Sequence, residues 1–434
     1  MFIASSIGII ADDLTGANDT ALQFHMRGCN TQILLDYKSH PDGITHTQAW
    51  AVSTESRNID AETAKEKVKA ATENLIKNFN IEYFYKKIDS TIRGNIAPEI
   101  LSMLDVLKWD AAVILPAFPN EGRITVGGYH LLKGIPIERT ELARDPQSPI
   151  YESDIPSILK KQLSEEKQHL VGLLELKTVM KGAGPILMKL NELIAGGKKL
   201  IVADAVSTVD IDQIILATEK SNHKILPCGS AGAAQSLGNI WLPEMKYHHI
   251  TKTIPELPKL IISGSSTELT ATQLRKLSED EDLDNTYFID LKLSDIFQSR
   301  TNEIVERAVC NLVKDNIVVI HSSNLIGKDE DLSQVLFENE LTKNRFTSMI
   351  GDYLAKITKQ IIDEKEVILI TVGGETSYKC CKAIDSQNIQ LIDAVAPAIP
   401  LCIDHKAQWI VTKSGNLGTP NTLIDVIKYF EQHK

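Results

Sequence analysis

The sequence predicts an α/β protein of two domains, each with a largely parallel β-sheet flanked by helices. Three observations lead there. Short β-branched runs alternate with helical patterns almost from end to end, the order that parallel-sheet folds require. A chain of 434 residues exceeds what one ordinary core supports. Between Leu242-Pro243 and Leu257-Pro258 the chain carries prolines, two histidines and no strong period, which marks a boundary. The domains are expected at 1–245 and 258–434, joined by a linker at 246–257.

In the first domain, compact apolar and β-branched runs predict strands at 3–10, 31–35, 49–53, 82–86, 111–115, 168–173 and 199–203. Apolar residues spaced every third or fourth position predict helices at 16–27, 60–77, 96–107, 178–195 and 208–221. The stretch from Pro116 to Pro149, rich in proline and glycine, is expected to be a long functional loop or lid. In the second domain the same patterns predict strands at 259–262, 286–290, 316–320, 366–372 and 407–412. Helices are expected at 267–279, 300–314, 345–363, 375–384 and 420–431. No internal repeat stands out.

Composition narrows the function classes. Apolar residues make up 43% and charged ones 24%, the balance of a soluble globular protein. A net charge of −11 argues against a general affinity for nucleic acid or an anionic membrane. The opening Met1 to Ile10 lacks a positive n-region and runs into Asp12 and Asp13, so it reads as a first buried strand. No apolar stretch reaches the length of a membrane span. The six cysteines form no CxxC and are expected to be reduced core thiols; the histidines show no HExxH, and His248-His249 reads as a solvated surface pair. No metal site is expected, and the localisation expected is cytoplasmic.

The most informative feature lies in the second domain, where three β-type runs each meet a Gly/Ser turn before a helical pattern. These are Ser263-Gly264-Ser265-Ser266-Thr267, Gly373-Gly374-Glu375-Thr376 and Ser414-Gly415-Asn416-Leu417-Gly418-Thr419. A helix N-terminus after a glycine turn offers unpaired N–H groups and the positive end of a dipole, both suited to phosphate. If the strands are parallel neighbours, the turns gather at the sheet's carboxyl edge, where open α/β folds bind ligands. Lys413 precedes the third turn, and Pro420 is expected at a first helical position. Gly351-Asp352 interrupts a helical pattern, as close helix packing or a ligand contact would require. No GxxxxGK[ST] occurs, which excludes a P-loop enzyme.

In the first domain the run Ala11-Asp12-Asp13-Leu14-Thr15-Gly16-Ala17-Asn18-Asp19 puts two carboxylates at a strand end, costly if buried and well placed as a general base. Asp13 or Thr15 could equally cap the following helix, with Asp19 favouring its dipole. Tyr85-Lys86-Lys87-Ile88-Asp89-Ser90-Thr91-Ile92-Arg93-Gly94-Asn95 gathers cations, a carboxylate, hydroxyls and an amide, a mixture suited to a small hydroxylated acid. Ser53-Thr54-Glu55-Ser56-Arg57 adds a second guanidinium. Pro116 to Arg123 could close over substrate, with Arg123 reaching a transferring phosphate, or be a plain surface excursion. Arg144-Asp145-Pro146 reads as an exposed turn or a lid anchor.

Together, Ala11 to Ala17, Lys87-Ile88-Asp89-Ser90-Thr91 through Arg93-Gly94-Asn95, Gly373-Gly374-Glu375-Thr376 and Thr412 to Gly418 resemble the four-carbon acid sugar kinases, in order and over nearly the whole chain. The resemblance implies a sugar-acid-binding N-terminal domain, a nucleotide-binding C-terminal domain and an active site in the interdomain cleft. It implies ATP-dependent phosphorylation of the terminal hydroxyl of a tetronate. Thr54-Glu55-Ser56-Arg57, Lys86-Lys87 and Val395-Ala396-Pro397-Ala398-Ile399-Pro400 look most like the D-threonate kinase branch; 3-oxo-tetronate and D-erythronate are the alternatives. Ala398 stands where the family carries glycine, a departure that bears on backbone geometry near the nucleotide.

On this resemblance the substrate is expected at Arg57, Lys87, Ile88, Asp89, Ser90, Arg93 and Asn95, and ATP at Ser263, Gly264, Ser265, Gly373, Gly374, Glu375, Thr376, Lys413, Gly415, Asn416 and Gly418. Asp12, Asp13 or Asp89 would accept the hydroxyl proton, Asp13 being favoured. Mg²⁺ would arrive on the ATP phosphates. A homodimer is the default assembly. Two other classes compete. A haloacid-dehalogenase-like phosphatase is weakly suggested by Asp13-Leu14-Thr15, but its loop needs aspartates one residue apart. A non-catalytic sugar-acid sensor would keep the pocket without turnover.

Overall fold

The computed structural model describes residues 6–41, 47–144, 149–242, 252–313, 316–325 and 335–433. The start of the first expected strand, His248-His249, much of the linker and Asp145-Pro146 lie outside them. The chain forms two compact units, Met1–Tyr247 and His248–Lys434.

The first unit carries strands β1 (Ser6–Ala11), β2 (Thr31–Leu34), β3 (Ala49–Ser53), β4 (Ile81–Lys87), β5 (Ala111–Leu115), β6 (Arg123–Val126), β7 (Tyr129–Leu132), β8 (Ile135–Pro136), β9 (Val171–Leu174), β10 (Leu200–Ala203) and β11 (Ile225–Gly229). Eight of them pair in the order β2-β3-β1-β4-β11-β5-β10-β9. Every pairing is parallel. Strands covered on both faces have no reason to alternate, so they read as unbroken apolar runs, as in the fully buried β3 and β5. Helices Ala61–Phe79 and Ile96–Leu107 bury Val68, Leu75, Ile100 and Met103 in one core with Val52, Phe84 and Ile114.

The second unit carries β12 (Lys259–Ser263), β13 (Thr286–Asp290), β14 (Ile317–His321), β15 (Ile368–Val372), β16 (Asn388–Ala396), β17 (Ile399–Asp404) and β18 (Trp409–Lys413). Their order is β13-β14-β12-β15-β18-β17-β16. The first five are parallel and the last two join antiparallel. Helices Glu268–Ser278, Lys343–Glu364, Gly374–Ala383 and Thr422–Gln432 flank them.

Several expectations are corrected. The stretch after Pro116 is not a bare loop: β6, β7 and β8 form a small antiparallel sheet. Its turn amides at Gly127 and Gly128 both donate to Asp204, at 2.8 Å each. β11 was not expected, because Pro227 and Gly229 argue against a central strand. Its glycine is nonetheless required, since a Cβ there would collide with the Leu115 carbonyl. The β16–β17 hairpin was not expected either. The helix expected at 178–195 is broken at Gly182 (φ +88°), leaving Leu176–Val179 and Ala183–Ala195. Pro420 is not the first helical residue: the last helix starts at Thr422. Gly351 lies inside helix Lys343–Glu364, where a Cβ would press on Lys379, so close packing accounts for it. All six cysteines are free, and only Cys310 is exposed.

Candidate active site

In the first unit β3, β1 and β4 are parallel neighbours. Their carboxyl ends therefore deliver Thr54–Arg57, Asp12–Asp13 and Ile88–Asn95 to one edge. The chain leaves β1 for β2 and β3 on one side and returns to β4 on the other. That reversal is the switch point at which open α/β sheets open a ligand crevice.

Arg57 organises the cluster. Its guanidinium grips Asp12 bidentately (Nε–Oδ2 2.7 Å, Nη2–Oδ1 2.9 Å) and donates to Asp13 Oδ2 at 2.6 Å. Asp89 Oδ1 lies 3.9 Å from Nη2. Of five N–H donors three are engaged, so one on each terminal nitrogen is left. Asp89 is itself held by Arg93, Nε–Oδ2 2.6 Å, and by Thr91. Burial alone would raise the Asp12 and Asp89 carboxyls. Arg57, with Lys86 and Lys87 for Asp12 and with Arg93 for Asp89, outweighs it and holds both below the usual carboxylate value. Asp13 caps helix Leu14–His25: Oδ1 accepts from the Gly16 amide at 2.8 Å and Oδ2 from Thr15 at 2.9 Å.

The two adjacent lysines differ. Lys86 is fully buried and pairs with Glu99 at 2.8 Å beneath the site. Lys87, 5% exposed, has no ion-pair or hydrogen-bond partner among the described residues. A Cβ on Gly16 would lie 2.6 Å from Asp13 Oδ1 and 3.0 Å from Lys87 Nζ, so the glycine leaves room for both side chains. Ile88 buries its side chain in the core and offers the site only backbone. Asn95 uses both amide hydrogens on the Ser56 and Ile59 carbonyls, 2.9 Å each, and so positions the loop. The Ser90 carbonyl is bonded by His130 Nε2 at 2.8 Å.

Sequence reasoning missed His130, Glu55 as a separate group, and the site of Asp19. His130, on β7, anchors the small sheet to the loop after β4. Burial pushes it down to about 4, so it stays neutral. Glu55 accepts from the Leu14 amide at 2.9 Å and Ser53 Oγ at 2.6 Å; burial pushes it up to about 8. Asp19 is no cap. It sits in the helix's second turn near Lys87 and Arg123, and burial raises it to about 6. A carboxylate beside two cations was the available signal, but Arg123 lies a hundred residues away in sequence.

In the second unit β12, β15 and β18 are adjacent and parallel. Their three glycine turns pack on one another. A Cβ on Gly264 would strike Thr376 Oγ1, and one on Gly415 would strike Ser265 Oγ. Thr267 and Thr270 hydroxyls both donate to the Gly415 carbonyl at 3.0 Å. Gly373 has φ +115° and leads straight into helix Gly374–Ala383, whose N-terminus no side chain caps. The other turns are less open. Thr267 caps helix Glu268–Ser278 with its own hydroxyl. The turn at Gly418 (φ +90°) is closed by Thr422 Oγ1, which accepts from Thr419 N at 2.7 Å.

Glu375 pairs with Lys379 at 2.9 Å, which also holds Asp352 at 2.8 Å. Asn416 is exposed, Ser263 is fully buried, and Ser265 and Thr376 are nearly so. Lys413 is 1% exposed with no acidic partner among the described residues, and its Nζ donates to the Ser414 carbonyl at 2.9 Å. Burial pushes it down to about 7. Among the described residues no three His, Cys, Asp or Glu side chains gather as a metal site, and no helix is long and apolar enough to cross a membrane.

Residues 7–237 match the family model of a sugar-binding N-terminal domain, and residues 260–423 that of a nucleotide-binding C-terminal domain. A D-erythronate kinase of Heliobacterium modesticaldum is 31% identical over 440 residues, covering 98% of this chain and 97% of that one. The chain belongs to the four-carbon acid sugar kinase family. It is a phosphotransferase of that family, as the names of its relatives agree. A D-threonate kinase of Bordetella bronchiseptica is 33% identical, covering 96% of both chains. A 3-oxo-tetronate kinase of Cupriavidus necator is 25% identical, covering 98% of both. A solved Salmonella typhimurium protein shares the fold, with TM-score 0.79 at 18% identity, covering 97% of this chain and 98% of that one.

Proposed function

We propose that the chain transfers the γ-phosphoryl group of ATP to the C4 hydroxyl of a four-carbon sugar acid, D-threonate giving 4-phospho-D-threonate. The observation that carries the phosphoryl half is the set of three interlocked glycine turns at the ends of β12, β15 and β18. Gly373-Gly374 adds an uncapped helix N-terminus there, suited to phosphate. Ser263, Gly264, Ser265, Thr376, Gly415, Asn416 and Gly418 complete the nucleotide set, with Lys413 as a buried cation behind them.

In the first unit Lys87 is the uncommitted cation for the sugar-acid carboxylate. The two remaining N–H groups of Arg57 and the Ser90 hydroxyl meet the substrate's oxygens. Asp12, Asp13 and Asp89 hold the arginines in place. Phosphoryl transfer requires in-line positioning and charge neutralisation more than covalent help. Mg²⁺ would be held through phosphate oxygens and water, since Glu375, the carboxylate of the turns, is taken up by Lys379.

D-erythronate is the rival substrate, because the relative named for it is about as similar as the one named for D-threonate. A coupled ADP-release screen over threonates, erythronates and their 3-oxo forms tests the assignment. D-threonate is expected to give the highest kcat/KM. A higher value for D-erythronate would move the assignment to it, and release with none would contradict the kinase itself.

A further inference from the structure

One corner of the first unit's polar cluster is used by none of the pairs described above. Asp19 lies three residues beyond Gly16, on the same face of helix Leu14–His25. That face looks onto the end of β4: a Cβ on Gly16 would lie 3.0 Å from Lys87 Nζ and 2.6 Å from Asp13 Oδ1. Asp19 Oδ1 is buried without a hydrogen-bond partner, and so is Arg123 Nε at the start of β6. Lys87 adds a cation that is equally uncommitted among the described residues. Three separate elements thus contribute one acceptor and two cations; Arg123 Nη1 lies 3.9 Å from Glu121 Oε2, but its Nε and Asp19 Oδ1 are left without a hydrogen-bond partner. Buried polar atoms are nearly always paired, so orphans converging from different elements mark a place that a ligand completes.

We propose that Asp19 is the proton acceptor of the reaction. The proposal rests on the phosphoryl-transfer function above. As the substrate hydroxyl oxygen bonds to the γ-phosphorus, the bond from that phosphorus to the bridging oxygen breaks and ADP leaves with its electron pair. The hydroxyl proton passes to Asp19 Oδ1. Lys87 and Arg123 neutralise the anionic oxygens on either side.

The other aspartates are poorer bases for a stated reason. Both oxygens of Asp12 accept from Arg57, and both of Asp89 from Arg93. Each of these carboxyls is held below its ordinary value. Asp13 spends its oxygens on the Gly16 amide, Thr15 and Arg57. Asp19 has a free oxygen, and burial raises it to about 6, with Lys87 and Arg123 opposing and Glu121 and Asp13 adding to the rise. Tyr85 on β4 is the other titratable group that feels it. A base poised near the working pH is the efficient one.

The test compares Asp19→Asn with the wild-type enzyme in steady-state kinetics from pH 5 to 8, with thermal melting as the check on folding. The expected result is a fall in kcat of about 10²–10⁴-fold. KM for the sugar acid and for ATP should stay within about threefold, and the acidic limb of the wild-type kcat profile should disappear. Asp19→Glu should recover part of the rate; Asp19→Ser, as a second deletion, should show the same loss. A D19N enzyme that keeps its rate and its acidic limb while the wild type turns over would overturn the proposal alone. A wild-type enzyme that transfers phosphoryl to no four-carbon acid would overturn the underlying function as well.

Discussion

In the first unit the strand ends carry charged side chains that bind one another: Arg57 spans Asp12 and Asp13, Arg93 holds Asp89, and Lys87 is left over. In the second unit the corresponding strand ends carry glycines, and the contacts between turns are backbone and hydroxyl. One edge is a net of fixed charges in which each substitution unbalances its neighbours. The other is a backbone surface that tolerates exchange of exposed side chains but not an added Cβ. Charge and shape are thus separate devices in the two units, and each should fail in its own way.

The largest effect is expected beneath the first site. Lys86→Met leaves Glu99 buried without its cation and should cost about 3–5 kcal/mol of stability, measured by denaturant unfolding. Glu99 is already raised by burial with Lys86 opposing. A raised carboxyl loses stability as pH climbs through its folded value, so the cost should be larger at pH 8 than at pH 5. A cost below about 1 kcal/mol would mean that the charge net is not what holds this unit.

Gly373→Ala attacks the other device. With φ +115° and a Cβ 3.1 Å from Thr376 Oγ1, it should weaken binding of an ATP analogue by about tenfold or more while sugar-acid binding stays unchanged. Calorimetry on the variant reads both.

Acid and base should separate the units further. Asp12 and Asp89 are held below the ordinary carboxylate value, so their contribution is present above it and is lost as pH falls through their folded values. Glu55, raised to about 8 from 4.5, acts in the opposite sense and loses stability as pH rises between those values. Hydrogen exchange should therefore show the first unit losing protection in strong acid and again toward pH 8. In the second unit Lys413, pushed down to about 7, acts in the other sense and gains stability as pH rises through that value, so the glycine turns should show no loss of protection toward pH 8.

The smallest effect is at Ala398, which stands at φ +58° after Pro397 in the β16–β17 turn. Proline followed by a left-handed residue is the pattern of a type II turn, whose third position favours glycine. Ala398→Gly should gain about 1 kcal/mol or less in thermal melting.

The same contrast explains what the sequence revealed. Parallel strands buried on both faces and helices with a single apolar stripe repeat simple periods, so β3, β5, β13 and helix Ile96–Leu107 are found at their expected residues. The site motifs are legible because polar groups at the end of an apolar run are costly unless used. Partner choice is not legible: Arg57 meets Asp12 forty-five positions away only because β3 and β1 pair. Asp19 and Arg123 converge through a small sheet whose strands are too short and glycine-rich to announce themselves. β11 hides behind Pro227, tolerated there against local preference.

The most direct test of this division is calorimetry on Lys87→Met with a four-carbon sugar acid and a non-hydrolysable ATP analogue. Removing the uncommitted cation should abolish detectable sugar-acid binding and leave nucleotide affinity within about twofold of wild type. Retained sugar-acid binding, or a matching loss of nucleotide affinity, would contradict the account.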